Sequence, residues 1–425
     1  MKTGALSLDQ APPLSVPSSF FLTMPFGILA AGLILMFYGI TALDSPWAPQ
    51  ALALTHTGTL GILAMGMLGA LYQMTPVIAG TPVPYTRIAH LVHILLVAGL
   101  VGFVWRLLGG PVVAMSWAIM AFKLALPAFL LPLGWALLYP ATVNETVQGM
   151  RLAVLSLLVI TLMGLMMAAG YAGELFPKDR MLWVQIHLTV ALLGWVGGLI
   201  MSVSWQVIPM FYLAPPTSKA VKRWFFGMLV TGLILPFTVL FATIDTTDWL
   251  SPGKIAAISS LPAALVVWVL HPVLVLKSIA ARKRKRSDAS LLFWKTGMGT
   301  ALLIIPVATL ALLLPDPRWQ LLFGWVTIWG WAGMVMHGML SRIVPFLVWF
   351  HRFSARVGLE PVPSMRGLLS QRRTQVGFIL HVSSVVLGTI SIVFQVDLLA
   401  QITGLVLIAT AISLGHMLVH ILRQW

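Results

Sequence analysis

Three stretches of the chain repeat one sixteen-residue pattern: Gly61 to Pro76, GILAMGMLGALYQMTP; Gly194 to Pro209, GWVGGLIMSVSWQVIP; and Gly330 to Pro345, GWAGMVMHGMLSRIVP. Each opens on Gly, runs through an apolar middle rich in small residues, carries a polar residue three positions before its end (Gln73, Gln206, Arg342) and closes on Pro. The prolines lie 133 and 136 residues apart. Spacing that regular over most of 425 residues predicts three structural units of similar length in a pseudo-threefold array.

The rest of the composition says where such units sit. With 59% hydrophobic residues, 9% charged and a mean hydropathy of +0.96, the chain is excluded from ordinary soluble proteins. Apolar stretches able to cross a bilayer, about 20 residues each, fall at 20–42, 51–79, 88–108, 111–138, 151–172, 183–212, 224–243, 254–276, 293–314, 319–350, 375–394 and 397–422. That is twelve spans, four per unit, the units covering 20–138, 151–276 and 293–422 of one transmembrane domain over 1–425. Lipid offers no partner for backbone amides, so each span is expected as an α-helix; the continuous apolar character, without strict alternation, argues against a β-barrel.

The net charge of +15 points to nucleic acid only until the basic residues are placed. About twenty of the 26 Lys and Arg fall in the loops on the side of the N-terminus, among them Lys219, Lys222, Arg223, the run Arg282 to Arg286, Arg352, Arg356, Arg366, Arg372 and Arg373. By the positive-inside rule both termini are expected in the cytoplasm, of a bacterial-type inner membrane, with the bilayer and not nucleic acid as partner. The run at 282–286 reads as a topology signal, with anionic lipid as an alternative contact. Lys2 and Asp9 with two prolines lack the basic-then-apolar order of a cleavable signal, so helix 1 is expected to stay as the first span. The absence of cysteine excludes disulfides, iron–sulfur clusters and thiolate metal sites.

Every one of the eleven acidic residues (Asp9, Asp44, Glu145, Glu174, Asp179, Asp245, Asp248, Asp288, Asp316, Glu360, Asp397) falls in a tail, a loop or a span end. Coupled carriers commonly use membrane-embedded carboxylates, so their absence counts against a coupled transporter or a proton pump. Histidines do lie in spans, where an imidazole is costly unless bonded or ligated. His56 and His187 precede their repeat prolines by 20 and 22 residues and so sit at comparable depth near the outer surface, available to a loop carbonyl, a metal or a haem. His90 and His93, three apart, and His416 and His420, four apart, each project from one helix face and could serve one metal or two partners. His381 opens helix 11; His271 and His351 read as interfacial. His337 is deepest, level with Met201 and Leu68, with Met65, Met67, Met334 and Met336 within a turn. That set suits Cu(I) or a haem pocket, or else a methionine-packed core. Lys123, midway along helix 4, is expected as a second buried charge.

Helix 2 opens on His56 and ends Gly69-Ala70-Leu71-Tyr72-Gln73-Met74-Thr75-Pro76, which resembles helix II of haem-copper oxidase and nitric oxide reductase catalytic subunits. The resemblance implies an all-α scaffold of twelve helices in three four-helix arcs, with His56 matching a low-spin haem ligand and His187 a copper ligand. It breaks where the family carries its helix X ligands, since the corresponding residues are Phe323-Gly324-Trp325, and residues 224–243 hold no histidine pair. The usual binuclear centre is therefore expected to be absent. The segment His187-Leu-Thr-Val-Ala-Leu-Leu-Gly resembles divergent NnrS-like members linked to nitric oxide stress. The resemblance implies haem b, with copper as a second candidate, in electron transfer or nitrosative stress, with a redox partner or membrane subunit beside it. Regular helices place His337 about 18 Å deeper than Trp325, so His56 and His337 cannot share one haem. The favoured site is an inner one, drawing two ligands from His337, His381, His416 and His420. The alternative is a metal-free descendant of the scaffold, serving assembly or conducting a small molecule or metal.

Overall fold

The computed structural model describes residues 11–241, 251–283, 288–365 and 367–424. Lys2, Asp9, Asp245, Asp248, the basic residues 284–286 and Arg366 lie outside the described residues. Among the described residues there is no β-strand, and twelve helices are long and apolar enough to cross a membrane: α1 Ser15–Leu43, α2 Pro49–Ala79, α3 Ile88–Leu107, α4 Val112–Leu138, α5 Glu145–Tyr171, α6 Arg180–Tyr212, α7 Lys219–Phe241, α8 Leu261–Ala280, α9 Ala289–Leu313, α10 Pro317–Arg356, α11 Gln371–Phe394 and α12 Asp397–Leu422. The chain is a multi-pass membrane protein. A short helix, Pro252–Ser259, precedes α8 and takes residues that the apolar reading gave to it.

Polar residues fix the helix starts that hydropathy misplaces. Asn144 caps α5 by accepting from the Val147 amide at 3.0 Å, so the helix begins six residues before the apolar run predicts. Ser218 caps α7, Asp288 caps α9 through the Ser290 amide (2.9 Å) and Asp316 caps α10 through the Arg318 amide (2.9 Å). These side chains satisfy first-turn amides that a helix cannot bond internally. The Arg318 side chain also bonds Asp316 and holds its carboxyl below the ordinary 3.8.

Neighbour relations repeat with a shift of four helices. The first and second helices of each unit pack together, as do second and third, third and fourth, and second and fourth; the last helix of each unit packs on the first of the next, with α12 returning to α1. In lipid such contacts depend on close backbone approach more than on hydrophobic expulsion. The α1–α12 crossing illustrates this, since a Cβ on Gly32 would lie 2.7 Å from the Gly404 carbonyl oxygen.

The repeat motif marks the inner helices. In the most apolar window of α2, α6 and α10, 89, 78 and 89% of residues are buried, against 22 to 56% elsewhere. Each of the three carries an eight-residue π-helical segment, Thr57–Ala64, Val190–Gly197 and Val326–Gly333, starting nineteen residues before its proline. The segment of α10 touches those of α2 and α6. Wider π turns re-aim side chains and often mark functional stretches. A shorter one, Val266–Leu270, lies in α8.

Candidate metal centres

The end of the bundle where Pro12 and Gln424 meet the end of α10 is the terminal end, and the opposite one the distal end. At the distal end, the first turns of α2 and α6 bring His56 and His187 within electrostatic reach of each other, both partly buried. His56 Nδ1–H donates to the Leu52 carbonyl at 2.8 Å, which fixes its tautomer and leaves Nε2 as a lone pair. A histidine ligand is commonly oriented by such a bond on its other nitrogen. His187 Nδ1 is buried without a partner, a state that costs free energy unless something absent from the protein's own atoms completes it. Phe103 of α3 covers the His56 ring at 4.7 Å. One turn further along α3, Arg106 Nε donates to the Tyr171 carbonyl (3.3 Å), while Arg180 Nη2 donates to the Tyr171 hydroxyl (2.7 Å) and lies over Phe176 at 4.1 Å. Two guanidinium groups thus meet at Tyr171.

Midway along α10 and α11, His337 and His381 meet directly. His381 Nε2–H donates to the Trp329 carbonyl (3.1 Å), so its Nδ1 is an acceptor, and His337 Nδ1–H donates to it at 3.0 Å. Trp329 stacks on His381 at 3.8 Å and 10°, and its indole N–H donates to Ser384 Oγ. Phe293 covers His337 at 4.6 Å. The remaining lone pair, His337 Nε2, abuts the α11 backbone: a Cβ on Gly377 would lie 3.2 Å from it.

The inner haem site was expected to draw two ligands from His337, His381, His416 and His420, and the first two bond each other here. An axial imidazole pair needs about 4 Å between nitrogens, two metal–imidazole bonds, whereas these nitrogens are donor and acceptor of one hydrogen bond. Of the other two candidates, His416 is exposed and His420 only partly buried on α12, their rings 6.4 Å apart. His90 and His93 serve two partners, Ser15 Oγ at 3.3 Å and Thr23 Oγ1 at 2.6 Å. His351 reaches the Leu347 and Pro12 carbonyls. Met201 is wholly buried in α6, and the Met336 methyl packs with Met24 over Gly66. Lys123 is not buried: it is exposed on α4. Among the described residues no three His, Asp or Glu side chains converge as a metal cage.

Two features escaped the sequence reading. Asp288 and Arg342 form a buried ion pair near the terminal end, with Arg342 Nε donating to Ser290 Oγ (2.8 Å), Ser290 donating to Asp288 (2.7 Å) and the Tyr212 hydroxyl 2.9 Å from Ser290 Oγ. The signal was present: Arg342 fills the polar position of the third repeat, where the others carry Gln. The second is a set of buried polar atoms without hydrogen-bond partners in α6, α8 and α10, among them Trp331 Nε1, Trp268 Nε1, His271 Nδ1 and Trp205 Nε1. His271 was read as interfacial and is instead fully buried, its Nε2 on Ser204 Oγ at 2.8 Å.

Compared with known proteins, the chain matches no protein-family model and no curated protein sequence.

Proposed function

We propose that this is a haem-binding membrane protein, with copper as the alternative metal, whose centre lies at the distal end between α2 and α6. The observation that carries the reading is that His56 and His187, at comparable depth in α2 and α6 and within electrostatic reach of each other, each keep a ring nitrogen left over from the protein's own hydrogen bonds. Neutral imidazoles suit iron and copper alike. His56 Nε2 and His187 Nδ1 would be the donors, Phe103 covers the His56 ring, and Arg106 and Arg180, which meet at Tyr171, are cations available to carboxylates such as haem propionates. A haem or copper held there would supply one-electron transfer or capture of a small gas such as nitric oxide.

The threefold repetition of helix contacts supports an oxidase-like scaffold of three arcs, and the basic loops support cytoplasmic termini in an inner membrane. A second reading, a metal-free scaffold that conducts a small molecule, is favoured by the closed His337–His381 pair and by the unpartnered buried indole and imidazole nitrogens of α6, α8 and α10. An absorption spectrum of dithionite-reduced purified protein, with metal analysis on the same sample, separates them. A Soret band or stoichiometric copper is expected; neither iron nor copper at stoichiometry overturns the first reading.

A further inference from the structure

Lys123 stands midway along α4, eleven residues after Val112 and fifteen before Leu138. At 1.5 Å per residue these are about 16 and 22 Å, within a hydrocarbon core about 30 Å thick. Its four-carbon stem is shorter than either distance. Yet the residue faces outward, beside exposed Trp117, Met120, Leu124 and Leu131, with no acidic side chain paired to it among the described residues. Every other exposed cation of a described span lies in its first or last turns, as Arg223, Lys277 and Lys295 do, where the head reaches the membrane surface. A second polar group coincides with the first: Pro127 has no N–H, so the carbonyl of Lys123, four residues back, loses its regular helical donor on the same face.

An ammonium and a freed carbonyl at the bilayer centre are expensive against lipid tails. We propose that this face of α4 docks a transmembrane helix of another protein carrying an Asp or Glu at mid-depth, whose carboxylate pairs with Lys123. A second copy of this chain does not supply the acid, because its carboxylates among the described residues are in loops or helix ends. Lipid phosphates lie at the membrane surface, beyond the reach of the stem.

The chain is free of cysteine, so Ser116→Cys, exposed two turns from Lys123, takes a single fluorophore. The labelled full chain is reconstituted in phosphatidylcholine vesicles with synthetic leucine-rich transmembrane peptides carrying a central Glu, Gln or Leu and an acceptor dye. The Glu peptide is expected to associate about tenfold more tightly than the Leu peptide. Lys123→Leu removes that preference, and Lys123→Glu transfers it to a peptide with a central Lys. Equal association of Glu and Leu peptides, or a Glu preference unchanged in folded Lys123→Leu, overturns the proposal. So does Lys123-dependent binding of oleate without any preference for the Glu peptide, which would assign the site to a lipid carboxylate.

Discussion

Near the starts of α2 and α6, His56 and His187 each have a ring nitrogen to spare; halfway along α10 and α11, His337 and His381 spend three of their four nitrogens on each other and on the Trp329 carbonyl, and the fourth lies against backbone. Residue type and membrane depth make the inner pair the better candidate for a metal, and hydrogen bonding reverses the order. A neutral imidazole has one donor and one acceptor. Once its neighbours use them, it is a structural crosslink, whatever its burial. The lesson is that a histidine in a membrane helix is judged by its free nitrogen.

The largest effect that could break this contrast is on metal content. His56→Ala and His187→Ala should each abolish bound iron or copper in purified protein, and His337→Ala should retain it; metal analysis beside the visible spectrum reads both. Loss of metal in His337→Ala with full retention in His56→Ala would invert the comparison. Next comes the buried pair below His337. Arg342→Ala leaves Asp288 buried without its counter-charge and should destabilise by about 3 to 5 kcal/mol, seen as a lowered thermal midpoint in detergent. An apolar replacement of both, Asp288→Leu with Arg342→Met, should recover most of that loss.

Removing His381 tests the crosslink itself. His381→Ala opens a cavity and strands the His337 N–H, for an expected loss of about 2 to 4 kcal/mol. A double-mutant cycle with His337→Ala should return a coupling of about 0.5 to 3 kcal/mol, whereas the same cycle on His56 and His187 without metal should return almost none. The smallest effect is at Gly377, where an added methyl meets His337 Nε2: Gly377→Ala should cost about 1 kcal/mol, while Gly134→Ala, with nothing within 4 Å, should stay within about 0.5 kcal/mol.

Much of the architecture was legible because lipid leaves the backbone one solution: twelve apolar stretches became twelve helices, and the spacing of Pro76, Pro209 and Pro345 reappeared in the spacing of the π segments. Helix starts were misread where a capping Asn144 or Asp288 extended the helix beyond its apolar run, since hydropathy does not register a hydrogen bond. The π segments left no trace, their residues being as apolar as the α-helical turns beside them. Lys123 was misplaced for a related reason. The helix α4 is apolar all round, so nothing local says which face meets the bundle, and burial followed from contacts with α2, α3 and α5.

The candidate site divides the same way. Residue counts placed His56 and His187 at one depth, but their mutual approach and leftover nitrogens depend on the azimuth of two helices. The partnership of His337 with His381 spans 44 residues of sequence and that of Arg342 with Ser290 spans 52. The sequence by itself determined the number of spans and the threefold recurrence of their motif, because hydrophobic length and rise per residue are properties of a single helix. Only the tertiary structure decided which imidazoles are satisfied and which charge faces outward, because a donor and its acceptor belong to different helices and meet only through the rotation that packing imposes.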